Sequence, residues 1–148
     1  MTEVRFYHLQ RKKLEQALPE ILAKALERDM RVVVKLGSDD TLQLLDGVLW
    51  THDPQGFLPH GYKKDGFEAD HPIWLTTQDD NPNGATVLML ADGATSDKLS
   101  DYDLCCDVFD GNDDAAVTAA RERWKALKDS GFELSYFQQD DAGRWIKK

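Results

Sequence analysis

The sequence predicts an α/β fold: a mostly parallel sheet with helices on both faces and a C-terminal hairpin. Three observations carry this. Runs of β-branched and aromatic residues alternate with apolar residues at helical spacing, the pattern of strand-helix-strand units. The run Arg31-Val32-Val33-Val34-Lys35-Leu36 is continuously apolar at its centre, as a strand covered on both faces requires. Finally, Phe132 to Ile146 reads as two strands around a turn at Asp140-Asp141-Ala142-Gly143. The arrangement is Rossmann-like, and 148 residues with no internal repeat or linker predict one domain spanning 1–148.

In chain order, Val4-Arg5-Phe6-Tyr7-His8-Leu9 is the first strand. Leu14, Ala17, Leu18, Ile21, Leu22, Ala25 and Leu26 then recur at helical spacing and stop near Asp29. Pro19 lies inside this pattern, so the helix either kinks there or begins there. After the strand at 31–36, Gly37-Ser38-Asp39-Asp40 opens a second helix, capped by Ser38 or Asp39, with Leu42, Leu45, Val48 and Leu49 as its apolar face. From Trp50 to His71 the pattern stops, and Pro54, Gly56, Pro59, Gly61 and Gly66 punctuate a long connection. Strands return at Ile73–Thr76 and Thr86–Leu90, and Leu104–Phe109 is a further one. Acidic caps within Asp110–Asp114 start a helix that ends near Ser130, with Gly131 as its stop.

Composition narrows the function. The formal net charge is −9, from 18 Lys+Arg against 27 Asp+Glu, so direct nucleic-acid binding is disfavoured. The apolar runs are far shorter than the ~20 residues that span a bilayer. The first residues place their basic cluster after the apolar ones, unlike a signal peptide. Cys105 and Cys106 are adjacent, and in a strand they point to opposite faces, so two reduced thiols in a cytoplasmic protein are expected. His8, His52, His60 and His71 show no zinc-type spacing with that pair, and no metal is expected.

The charge is unevenly spread. Residues 65–114 carry thirteen acids against Lys98 alone, a local −12, whereas residues 121–128 hold Arg121, Arg123, Lys125 and Lys128 against Glu122. On a helix, Arg121, Trp124, Lys125 and Lys128 share one arc. Ala116, Ala119, Ala120, Ala126 and Leu127 form the opposite, packing side, with Arg123 at its margin, reaching outward. A bland reading packs Trp124 under a loop and leaves the bases solvated. The functional reading is a cationic face around an aromatic platform, suited to an acidic ligand with an aromatic end. A second candidate surface is the Pro/Gly-framed loop carrying Trp50, Phe57, Pro59 and His60, an interaction patch or a loop tucked on the sheet edge.

Three ligand motifs fail on detail. The turn at Gly37 lacks both glycine-rich phosphate fingerprints, and Asp39 and Asp40 would repel an anion there. Asp110, Asn112 and Asp114 imitate the start of a calcium loop, but Ala115 and Arg121 stand where its glycine and glutamate belong. Asp79-Asp80 reads as turn chemistry rather than an acid-base pair.

Taken together, Phe6-Tyr7-His8-Leu9, Arg31-Val32-Val33-Val34, Leu45-Asp46-Gly47-Val48-Leu49-Trp50, Phe57-Leu58-Pro59-His60, Asn81-Pro82-Asn83-Gly84, Val108-Phe109-Asp110 and Ala120-Arg121-Glu122-Arg123-Trp124-Lys125 give the chain a marked likeness in order and spacing. It resembles the chi subunit family of bacterial DNA polymerase III holoenzyme along nearly its whole length. The resemblance implies a non-catalytic accessory protein of the clamp-loader assembly in DNA replication, with no cofactor and no nucleotide site. It implies binding to the acidic, Pro-Phe-ending C-terminal tail of single-stranded DNA-binding protein through Arg121, Trp124 and Lys125. A basic residue of family members falls at Val117 here, so the resemblance implies a tail that either binds more weakly or leans on Lys128. The surface around Trp50 and Phe57 is implied to meet the psi subunit, another clamp-loader component or a helicase, so that DNA is reached only indirectly. The rival readings are a small α/β enzyme acting on an acidic metabolite held by Arg121 and Lys125, and a direct single-stranded DNA binder.

Overall fold

The structure, a computed structural model, describes residues 2–10, 13–51, 60–62, 71–140 and 145–148. The strands are β1 (Glu3–Leu9), β2 (Val32–Lys35), β3 (His60–Tyr62), β4 (Ile73–Thr76), β5 (Val87–Leu90), β6 (Leu104–Asp110), β7 (Glu133–Gln139) and β8 (Trp145–Lys147). The helices are α1 (Leu14–Glu27), α2 (Asp39–Thr51) and α3 (Asp114–Asp129). One sheet runs in the order β3-β4-β2-β5-β6-β1-β7-β8. Every pairing is parallel except β7 with β8, the C-terminal hairpin, whose turn residues 141–144 lie outside the described residues.

Alternation along the strands sorts side chains into two cores. Tyr7, Leu9, Val32, Val34, Met89, Cys106 and Val108 pack under α1 and α2. Val4, Phe6, Val33, Trp74, Leu88, Cys105 and Phe109 face the other way, toward α3. The two cysteines therefore lie on opposite faces of β6, both buried and unpaired, and burial pushes each thiol up to about 12.

Several local expectations resolve in physical terms. Helix α1 starts at Leu14 and runs through Pro19, so it does not begin at the proline. The Gln16 side chain accepts the Lys13 N–H at 3.0 Å, fixing that start, and the missing Pro19 donor is tolerated because its ring is buried on the apolar face. Asp29, in the left-handed region at φ 56°, ends the helix. Ser38 caps α2: its Oγ accepts the Thr41 N–H at 3.3 Å. The long connection after Trp50 contains β3, an edge strand that the sequence reading missed.

The β2-α2 turn, where α/β sheets often hold phosphates, is occupied by the chain itself. A Cβ at Gly37 would lie 2.1 Å from the Asp92 carbonyl oxygen, and Ser38 Oγ donates to the Asp92 carboxylate at 3.0 Å. Among the described residues no helix is long and apolar enough to cross a membrane, and no group of three or more His, Cys, Asp or Glu is placed to hold a metal ion.

Candidate functional site

Helix α3 sets the site. Asp113 caps it, accepting the N–H groups of Ala115 at 3.0 Å and Ala116 at 3.4 Å. At the other end Gly131, at φ 87°, closes a Schellman turn: Phe132 N–H donates to the Leu127 carbonyl and Gly131 N–H to that of Lys128. The aspartates before α3 thus serve as caps and turn acceptors, with Asp110 accepting the Asn112 N–H at 2.9 Å.

The helix lies on the sheet with a different roll from the one expected. Val117, Ala120, Trp124 and Leu127 pack against the sheet, while Ala126 is exposed. The larger apolar side chains, which bury more area than alanine, decide the packed stripe. Arg123 points inward rather than outward. It grips the buried Asp107 of β6 with two hydrogen bonds, Nε to Oδ2 at 2.6 Å and Nη2 to Oδ1 at 3.0 Å. Burial pushes the Asp107 carboxyl up and Arg123 opposes that shift.

Between α3 and the sheet lies a cavity of about 290 Å³, lined by Arg121, Trp124, Val117 and Ala120 of the helix and by Phe6, His8, Phe109 and Tyr136 of the strands. Trp124 does not sit under a loop. Its indole packs edge-on to Phe6, centroids 5.3 Å apart at 71°, and to Tyr136 at 6.0 Å and 85°. Sheet register builds the other wall: Phe6 is opposite Tyr136 on β7, and His8 is opposite Phe109 on β6. For scale, a ~150 Å³ apolar cavity accepts benzene, so this one is wide enough for a phenyl ring.

Arg121 stands at the mouth of the cavity, exposed. Lys125 and Lys128 are also exposed on α3, but they do not line the cavity. Val117 forms part of the apolar wall. None of Arg121, Lys125 and Lys128 pairs with an acid among the described residues.

His8 is the polar group of the interior. Its Nδ1 is hydrogen-bonded to the Tyr136 hydroxyl, and its Nε2 is buried without a hydrogen-bond partner among the described residues. Burial holds the imidazole below its usual value; a backbone interaction with Gly111 opposes this, the Arg121 charge adds to it, and Asp110 opposes it. Burial raises the Tyr136 phenol, which Arg121 partly offsets. At neutral pH the wall is uncharged and the rim is positive, an arrangement that suits an aromatic group carrying a carboxylate.

The sequence reading identified Arg121 and Trp124 but missed Phe6, His8, Phe109 and Tyr136. The signal available was the i, i+2 pair Phe6 and His8 on one face of a strand. Of the second candidate surface, Phe57 and Pro59 lie outside the described residues and Trp50 stands in the last turn of α2. His60 is in β3 with a fully buried side chain, its Nε2 2.9 Å from Asp46 Oδ1, so it anchors that edge from within.

Comparison with known proteins places the chain in a family. Residues 1–135 match the family described as DNA polymerase III chi subunit, HolC. The chain is 29% identical over 90 residues to the probable DNA polymerase III subunit chi of Rickettsia prowazekii, a match covering 61% of this chain and 54% of that one, so it spans about half the relative's length. It is 25% identical over 123 residues to DNA polymerase III subunit chi of Escherichia coli, covering 82% of this chain and 83% of the other. The Haemophilus influenzae subunit chi is 27% identical over 125 residues, with 82% and 85% covered. Matched over most of its length, the chain belongs to the DNA polymerase III chi subunit family.

Proposed function

We propose that this chain is a non-catalytic replication subunit that grips the acidic, Pro-Phe-ending C-terminal tail of single-stranded DNA-binding protein and so ties coated single strands to the clamp-loader assembly. The observation that supports this most directly is the ring-sized aromatic cavity with unpaired Arg121 at its mouth. The terminal phenyl ring enters the cavity that Trp124, Phe6, Phe109 and Tyr136 line, and the α-carboxylate pairs with Arg121. Lys125 and Lys128 attract the tail acids from the exposed side of α3, an effect that salt screens. Val117 adds apolar contact to the ring in place of a charge. A second contact, with the psi subunit, another clamp-loader component or a helicase, is assigned to the Trp50 and Phe57 surface, with His60 as internal support for β3.

Titrating a labelled acidic peptide ending in Pro-Phe tests the tail site. Saturable binding that weakens with salt is expected, and no binding at low salt removes the proposal. Single-stranded oligonucleotide bound as tightly as the peptide would favour direct DNA contact instead. For the other surface, Phe57→Ala is expected to lose a partner in pull-downs from the native host; an unchanged partner set retires that assignment.

A further inference from the structure

A second aromatic-floored pocket, of about 270 Å³, lies on the opposite face of the sheet, beneath the C-terminal half of α1. Its lining reaches from Val87 and Leu104, which begin β5 and β6, to Tyr7 and Phe137 farther along β1 and β7. The α3 cavity is built instead from Phe6, His8 and Phe109, toward the strands' far ends. Alternation generates both, because Phe6 and Tyr136 face α3 while their neighbours Tyr7 and Phe137 face α1.

The floor of this second pocket is a set of contacting aromatic rings. Tyr7 stacks on Phe137 at 5.1 Å and 13°, and Trp145 meets Tyr7 edge-on at 5.1 Å. Cys106 contributes a neutral thiol. Arg5 closes one side, with its guanidinium 5.9 Å from the Phe137 centroid and its charge taken by Glu3 at 2.9 Å. Lys24 and Arg28 of the α1 wall are different: both are exposed, neither pairs with an acid among the described residues, and no acidic side chain lines the pocket.

We propose that this pocket is a second peptide-docking site, which takes one bulky apolar side chain of an extended acidic segment whose carboxylates pair with Lys24 and Arg28. Charge complementarity selects the occupant, since two free cations flank an apolar floor in a chain of net charge −9. Spacing favours a peptide: Lys24 and Arg28 are one turn apart, a rise of about 6 Å. Alternate residues of an extended strand repeat at nearly the same distance, about 6.6 Å. A small acid would use only one of the two charges. The site needs no terminal carboxylate and shares no lining residue with the α3 cavity.

The test uses the full chain and a fluorescein-labelled, C-terminally amidated peptide, Asp-Ala-Asp-Phe-Asp, which lacks the carboxylate that Arg121 would recognise. Saturable binding is expected, with movement of the Trp145 indole NMR signal while that of Trp124 stays in place. Lys24→Glu with Arg28→Glu is expected to weaken binding by about tenfold or more, and Lys24→Ala with Arg28→Ala by a smaller factor, with melting transitions preserved. Arg121→Ala is expected to leave it unchanged. Absence of binding at low salt, loss with Arg121→Ala, or survival in both double variants would overturn the proposal. So would phenylacetate binding at Trp145 as tightly as the peptide, which would make this a small-molecule site.

Discussion

Arg121→Ala separates recognition from folding. The side chain is exposed and has no acidic partner among the described residues, so its removal is expected to change stability by no more than about 0.5 kcal/mol. At the cavity mouth it would lose a charge-assisted bond to the tail's α-carboxylate, about 1.5–3 kcal/mol, which raises Kd roughly 10- to 150-fold. Fluorescence anisotropy with the acidic Pro-Phe peptide and with its C-terminal amide gives a double-mutant cycle. Amidation is expected to weaken binding to the unaltered chain strongly and to Arg121→Ala hardly at all. The same substitution removes a positive charge that holds His8 down, so an NMR titration of His8 is expected to move to higher pH. Binding within about threefold of the unaltered chain, or an amidation penalty equal in both proteins, would refute the carboxylate contact.

Arg123→Ala leaves the buried Asp107 carboxylate without its partner and is expected to cost about 3–5 kcal/mol in denaturant unfolding, far more than Arg121→Ala. Gly111→Ala would place a Cβ 1.9 Å from the His8 ring and 2.5 Å from the Leu9 carbonyl, so both a lower melting temperature and weaker tail-peptide binding are expected. Alkaline pH acts through the buried thiols. Cys105 and Cys106 rise from 9.0 to about 12 on folding, so their contribution is complete below pH 9 and is lost as pH rises toward 12. Each thiol is expected to lower stability by up to about 1.4 kcal/mol per pH unit in that window, read from urea melts against the double Cys→Ser variant.

The elements that sequence revealed most clearly are those whose signal is local. The Val32-Val33-Val34 run, the Asp113 cap and the Gly131 stop each state their structure within a few residues. Strand β3 left no such trace: three residues around Gly61 become a strand only because β4, more than ten residues away, supplies parallel hydrogen bonds. The roll of α3 departs from the helical projection for a related reason. Four alanines and one leucine look like a packing face on a helical projection, yet Val117 and Trp124 bury more surface and Arg123 finds Asp107 on β6. Those outcomes depend on the sheet beneath the helix. The helical half of the proposed tail site is therefore visible in sequence, and its strand half is not, since Phe6 and Tyr136 become neighbours only through the β1-β7 register.

The acidic excess also acquires a location. Asp39 and Asp40 follow β2, Asp79 and Asp80 follow β4, Asp92 follows β5, and Asp110 ends β6. These strands are parallel, so their following residues gather along one edge of the sheet, the edge where α/β proteins ordinarily receive phosphates. A polyanion that reaches that edge is repelled over a Debye length of about 8 Å. A peptide end is short enough to sit in the cavity beside α3, where Arg121, Lys125 and Lys128 face solvent. Ring burial beside Trp124 then supplies short-range affinity that a sugar-phosphate backbone does not offer. Under the proposed function, the distribution of charge, more than its sum, is what favours an acidic aromatic-ended peptide over a naked strand.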